Sequence, residues 1–106
     1  MFLYEVNLYI QENCFSDFLP WLKKHINEIL DLPGFISAEI WNREPQEPPE
    51  HAPLEPLIWI TVHYRLKSKA DFEHYLNNHA EKMRADGLKH FSGSFSADRR
   101  CYELLE

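Results

Sequence analysis

The chain has 106 residues, seventeen acidic against eleven basic side chains for a net charge of −6, and is 44% hydrophobic and 14% aromatic. One domain spans residues 1–106, since domains usually run to about 100–150 residues, and a chain this short buries only about 60–70% of its unfolded surface. The acidic balance speaks against nucleic acid, whose phosphates call for a basic stripe; no apolar run approaches the roughly 20 residues that cross a bilayer.

Residues 2–10, FLYEVNLYI, alternate with period two: Phe2, Tyr4, Val6, Leu8 and Ile10 on one face, Leu3, Glu5, Asn7 and Tyr9 on the other. With these β-formers the segment reads as a strand. The N-terminus lacks the basic region and apolar stretch of a secretory signal, so a cytoplasmic protein is expected. Residues 17–31 switch to helical spacing through Phe18, Leu22, Ile26 and Ile29. Asp17 is the preferred cap, because it leaves Pro20 in the first turn, where a missing N–H costs little. Leu32-Pro33-Gly34 stops this helix. Residues 35–42 form a second strand with Ile36, Ala38 and Ile40 on its apolar face and Phe35, Ser37, Glu39 and Trp41 opposite.

Residues 44–56, EPQEPPEHAPLEP, hold five of the seven prolines and four acids. This is a solvated, partly extended connection between the second and third strands, long for a hairpin and therefore a possible lid. Its composition also resembles a ligand for a proline-recognising domain, but it carries no motif for one. Residues 57–66, LIWITVHYRL, are the clearest strand, with Ile58, Ile60, Val62, Tyr64 and Leu66 alternating against Leu57, Trp59, Thr61, His63 and Arg65. Ser68 caps a second helix, with Asp71 completing a capping box. Phe72, Tyr75, Leu76, His79 and Met83 form its inner stripe, and Gly87 is read as its end. The last segment, about 91 to 104, reads as a strand through Phe91, Phe95, Ala97 and Tyr102, with a bulge near Asp98-Arg99-Arg100.

The order β-α-β-β-α-β with right-handed crossovers sets the first strand beside the third, a pairing expected to be parallel. The fold class is α+β: a ferredoxin-like βαββαβ unit, its four-stranded antiparallel sheet in the order 4-1-3-2, with two helices on one face. No helix remains for the other face, which carries Leu3, Tyr9, Phe35, Trp41, Leu57 and Trp59. A patch of that size marks an interaction surface, so a homodimer is expected, two sheets closing as a dimeric α/β barrel.

The same face presents Glu5, Asn7, Glu39, Thr61, His63 and Arg65, with Ser94 and Ser96 from the last strand. In one reading Glu5, Glu39, His63 and Arg65 form a structural polar network that fixes dimer register. In the other they line a small cavity, walled by Tyr9, Trp41 and Trp59, that binds a small molecule; His63 and Glu5 are then the candidate general bases. Should the dimer consume this face entirely, the chain is a non-catalytic protein-interaction module. His79, on the helix stripe, is a further ligand-binding candidate, or a core histidine bonded to backbone or carboxylate. His74 and His79 are too far apart around the helix for a metal pair, and no H-E-x-x-H exists, so no metal site is expected. Cys14 and Cys101 have no metal spacing and read as free thiols too distant to bridge. Arg84, Arg99 and Arg100 offer forked donors to an anion, or pair with the surplus acids. Neither a Gly-rich phosphate loop nor a G-x-S-x-G turn is found, and no cofactor is implied.

Tyr-Glu-Val-Asn at 4–7, Leu-Pro-Gly-Phe at 32–35, His-Ala-x-x-Met-Arg-x-x-Gly at 79–87 and Phe-Ser-Ala-x-Arg-Arg at 95–100 carry a resemblance over nearly the whole chain. It resembles a family of small bacterial proteins known as a domain of unknown function, within the dimeric α/β-barrel superfamily. That superfamily includes cofactor-independent monooxygenases of antibiotic biosynthesis and haem-degrading enzymes. The latter use an Asn on the first strand, a Trp near the end of the third and a His on the second helix. Asn7 and His79 sit in comparable elements, but Leu66 ends the third strand and Trp59 lies near its start. The resemblance implies no established catalytic residues.

Overall fold

A computed structural model describes residues 1–105. Strand β1 (Phe2–Gln11) leads through a 3-10 turn (Glu12–Cys14) into helix α1 (Phe15–Leu30), then β2 (Phe35–Asn42), β3 (Leu57–Leu66), helices α2 (Lys69–Asn78) and α3 (Ala80–Phe91), and β4 (Phe95–Glu103). The sheet order is β2-β3-β1-β4, and every neighbouring pair is antiparallel. The expected ferredoxin-like α+β fold is therefore present, but the parallel pairing of β1 with β3 is corrected. Each crossover passes over one strand, so the parallel partners β1/β2 and β3/β4 each enclose an antiparallel strand.

The helices lie on one sheet face, and the core fills the space between. Phe2, Tyr4, Leu8 and Ile10 of β1 and Ile60, Val62, Tyr64 and Leu66 of β3 meet Phe18, Leu22, Ile26 and Ile29 of α1. Phe72 of α2 packs over Phe2 and Tyr4 at ring separations of 4.9 and 4.8 Å. Burial of such side chains is worth about 1.5–3 kcal/mol each, which is why the unbroken alternation of β1 and β3 specifies their orientation.

Several boundaries differ from expectation. Helix α1 begins at Phe15, so Asp17 lies in its first turn and Pro20 is its sixth residue. Both Ser16, whose carbonyl Pro20 cannot bond, and Pro20 itself are exposed, so water can take that carbonyl. In β2 a bulge between Phe35 and Ser37 inserts Ile36. Phe35 thereby turns into the core while Ile36 is exposed, the reverse of the period-two expectation. The second helix breaks at His79 into α2 and α3. There Asn78 donates its side-chain amide to the His74 carbonyl at 2.9 Å, competing with the helical ladder.

Gly87 does not end the helix; it is buried inside α3, where a Cβ would come within 2.9 Å of the Trp21 ring. Phe91 belongs to α3, and β4 pairs with β1 in unbroken register from Phe95 to Glu103, without the expected bulge. Ser68 caps α2 as expected, accepting from the Asp71 N–H at 3.2 Å and donating to its carboxylate at 2.9 Å. Cys14 and Cys101 are both free. Cys101 stands opposite Tyr4 while Cys14 donates to the Gln11 carbonyl, about 24 Å further along β1 at strand rise, far beyond the roughly 7 Å Cα separation a disulfide tolerates.

Candidate functional site

On the sheet face away from the helices, the register sets Glu5 opposite His63, Asn7 opposite Thr61, Glu39 opposite His63 and Trp41 opposite Thr61. β4 adds Asp98 opposite Asn7 and Arg100 opposite Glu5. The expected Glu5, Asn7, Tyr9, Glu39, Trp41, Trp59, Thr61, His63 and Arg65 thus share one face. His79 does not join them: it sits at the α2/α3 junction in the helix layer, its ring 5.6 Å from that of His74. Asn7 and His79, comparable in element to residues of haem-degrading enzymes, consequently belong to different layers.

Asn7 is the centre of this face. It is buried, which requires its amide to be bonded. Its nitrogen donates to Glu5 Oε2 at 3.2 Å and Asp98 Oδ1 at 3.0 Å, and its oxygen accepts from Thr61 Oγ1 at 2.8 Å. His63 Nε2 lies 3.0 Å from Glu5 Oε1, and Tyr102 donates to Glu5 Oε2 at 3.3 Å. Tyr9 donates to Asp98 Oδ2 at 2.7 Å and accepts from Arg43 at 3.1 Å. Arg65 pairs separately with Glu39. Ser96 bonds His51 Nδ1 at 3.0 Å.

Burial alone would raise the Glu5 pKa, but hydrogen bonds with His63, Asn7 and Tyr102 and the nearby His63 charge hold it below the ordinary carboxylate value. Asp98 behaves alike: burial pushes it up, and the Tyr9 and Asn7 bonds with the Arg43 and His51 charges bring it down further. Burial pushes the Tyr9 hydroxyl up, with Arg43 opposing and Asp98 reinforcing. The two carboxylates are therefore ionised hydrogen-bond acceptors at neutral pH.

The Pro-rich connection folds back over one end of the face. Arg43 lies 5.4 and 5.0 Å from the Tyr9 and Trp59 ring centres, and His51 meets the Tyr9 edge at 5.6 Å. Gln11 donates to the Leu54 carbonyl at 3.3 Å, and the Glu12 N–H to that of Pro56 at 3.0 Å. Tyr9 and Trp59 are thereby buried beneath this connection within the single chain. Phe35, also expected here, lies in the core.

What stays open is a cleft of about 420 Å³, floored by Glu5, Asn7, Thr61 and His63 and flanked by Trp41, Arg43, Arg100 and Tyr102. Trp41 is 52% and Tyr102 43% exposed. Asp98, Arg43 and Tyr102 are functional candidates that the sequence reading missed. Continuing the Phe95/Ala97 alternation without a bulge would have put Asp98 and Tyr102 on this face. Among the described residues no cluster of three or more His, Cys, Asp or Glu could hold a metal ion, and no helix is long and apolar enough to cross a membrane.

The fold is shared with solved structures at low identity. A candidate antibiotic biosynthesis monooxygenase of Deinococcus radiodurans aligns with a TM-score of 0.72 at 12% identity, covering 100% of this chain and 94% of that one. A second candidate antibiotic biosynthesis monooxygenase, from Nitrosomonas europaea, gives 0.68 at 10% identity, with 100% of both chains covered. SnoaB, a cofactor-independent oxygenase from Streptomyces nogalater, gives 0.65 at 10% identity over 99% of this chain and 94% of its own. At such identities the likeness is one of fold. No curated protein matches the chain. Residues 1–105 match the family described as Domain of unknown function (DUF4286), and the chain belongs to that family.

Proposed function

We propose that this protein is a homodimer, two copies packing through their open sheet faces, and that it binds a small organic molecule in the polar cleft the faces enclose. The observation that carries the reading is the cleft itself: a bonded floor of Glu5, Asn7, Thr61 and His63 beside the exposed Trp41 and Tyr102 rings. The cleft is more polar than most small-molecule sites, and its two exposed rings beside fixed hydrogen-bonding groups suit a polar ligand that can stack and be oriented by bonds. The floor is ordered before any ligand arrives, which lowers the cost of binding. The same exposed rings suit a protein interface, where Trp and Tyr are enriched. The resemblance to dimeric α/β barrels points the same way.

A second reading is favoured by the completeness of the network. Glu5, Asn7 and Asp98 all have partners within the chain, so the face can serve register and contact alone, as a non-catalytic interaction module. Mass analysis of small molecules extracted from the purified wild type and from a Glu5→Ala/His63→Ala variant separates the two. The ligand reading predicts a reproducible compound in the wild type, depleted at least about tenfold in the variant by loss of charge-assisted bonds. Its equal retention in both would place the ligand elsewhere, and its absence from the wild type would favour the interaction module.

A further inference from the structure

On the other side of the sheet the core is incompletely filled. A cavity of about 60 Å³ lies between the sheet and helices α1 and α3. It has room for several waters, each of which needs about 10–15 Å³. Most of its lining is apolar, but Tyr4, Tyr64, Tyr75, His25, Arg84 and Arg99 also contribute, and no carboxylate does.

Two lining atoms are orphaned. Arg84 donates one terminal nitrogen to the Tyr4 hydroxyl at 3.2 Å, yet its Nε is buried without a partner. His25 Nδ1 is likewise buried and unbonded. Neither Arg84 nor Arg99 forms an ion pair among the described residues, although the chain has a surplus of acids. A buried donor without a partner costs about 1–3 kcal/mol, so two orphans at one cavity are an unusual expense unless something fills them. Burial holds His25 below the ordinary histidine value against the opposing pull of Asp86 and Glu28; its ring is neutral at neutral pH and can bond a ligand oxygen without adding charge.

The entrance matches. A wider cleft of about 490 Å³ between α1 and α3 shares Trp21, His25 and Met83 with the cavity, and Lys24, Lys82 and Lys89 outnumber its two acids, Glu28 and Asp86. The mouth thus carries one net positive charge on a chain of net charge −6, so it does not repel an anion as the rest of the surface does. Trp21 is held at the boundary by donating to Asp86 at 3.1 Å and by the close approach of Gly87.

We propose that this cavity binds a small organic carboxylate, its carboxyl group seated between Arg84 and Arg99 and its body passing Trp21 into the cleft between α1 and α3. The planar guanidinium fork matches a carboxylate, and the inner space suits a carboxyl group with an adjoining carbon rather than a whole metabolite. This site lies across the sheet from the open face and does not rest on the dimer.

Benzoate is the probe, with benzamide as its neutral isostere and inorganic phosphate as a competing anion, followed by amide NMR shifts of the full chain. Saturable benzoate shifts at Arg84, Arg99 and Trp21, absent with benzamide, are expected, and Arg84→Gln should weaken them at least about tenfold. Arg99→Gln, on the exposed end of β4, gives the same reading should Arg84→Gln not fold. The proposal is overturned if benzamide shifts the same amides equally, if both Gln variants bind benzoate as the wild type does, or if the shifts fall on Glu5 and His63 instead. Displacement of benzoate by equimolar phosphate would also contradict the carboxylate assignment.

Discussion

Asn7 shows how a single buried amide organises a sheet face. Its three bonds reach β1, β3 and β4 at once, and they leave Glu5 and Asp98 as the negative members of the network. Both carboxyls are held below their ordinary values of 4.5 and 3.8. The unfolded chain therefore binds protons at a higher pH than the folded one, and this stabilisation is complete above the ordinary values and lost as pH falls through the folded ones. Urea denaturation is expected to show a midpoint that declines toward pH 3, with the Glu5 and Asp98 contribution entering below about pH 5.5 and the lowered His25 adding a shallower fall from about pH 7. A Glu5→Gln/Asp98→Asn variant should be less stable by about 1–2 kcal/mol at pH 7 and decline less steeply; an unchanged acid slope would contradict the assignment. Alternation in β1 and β3 made Glu5, Asn7, Thr61 and His63 legible in the sequence. Asp98 was hidden because the Asp98-Arg99-Arg100 run suggests a break, whereas pairing along the whole of β1 keeps β4 extended.

At the scale of elements, the turns reveal why some boundaries could be read and others not. Leu32-Pro33-Gly34 ends α1 through chemistry local to three residues: Gly34 has φ of 86°, which side chains disfavour by about 1–2 kcal/mol. Its consequence is tertiary, since a Cβ there would lie 2.4 Å from Asp71, the partner of the Ser68 cap. Gly34→Ala is accordingly expected to cost about 2–4 kcal/mol in urea denaturation, and a loss below about 0.5 kcal/mol would show that this turn carries no such constraint. The bulge at Ile36 and the packing of Gly87 against Trp21 depend on neighbours distant in sequence, so period and propensity gave the opposite faces or roles. The Pro-rich segment was legible as a long connection, but its docking over Tyr9 and Trp59 through Arg43 and His51 was not, because composition states nothing about where a loop lies.

The whole molecule is two layers deep, helices over sheet, with the second sheet face left to the Pro-rich connection and an open polar cleft. Fold class and strand order followed from element order and from the crossover rule, while the pairing direction required the skipped strand to be counted. On the proposed function, the open face packs against a second copy. Sedimentation velocity of the wild type beside Trp41→Glu tests it directly, since residue 41 is exposed on the single chain and its substitution leaves the core untouched. The wild type is expected to sediment as a species of twice the 12.7 kDa chain mass, and the variant as a monomer with its fold retained. A wild type that sediments as a monomer at all concentrations, or a variant that remains fully dimeric, would contradict it.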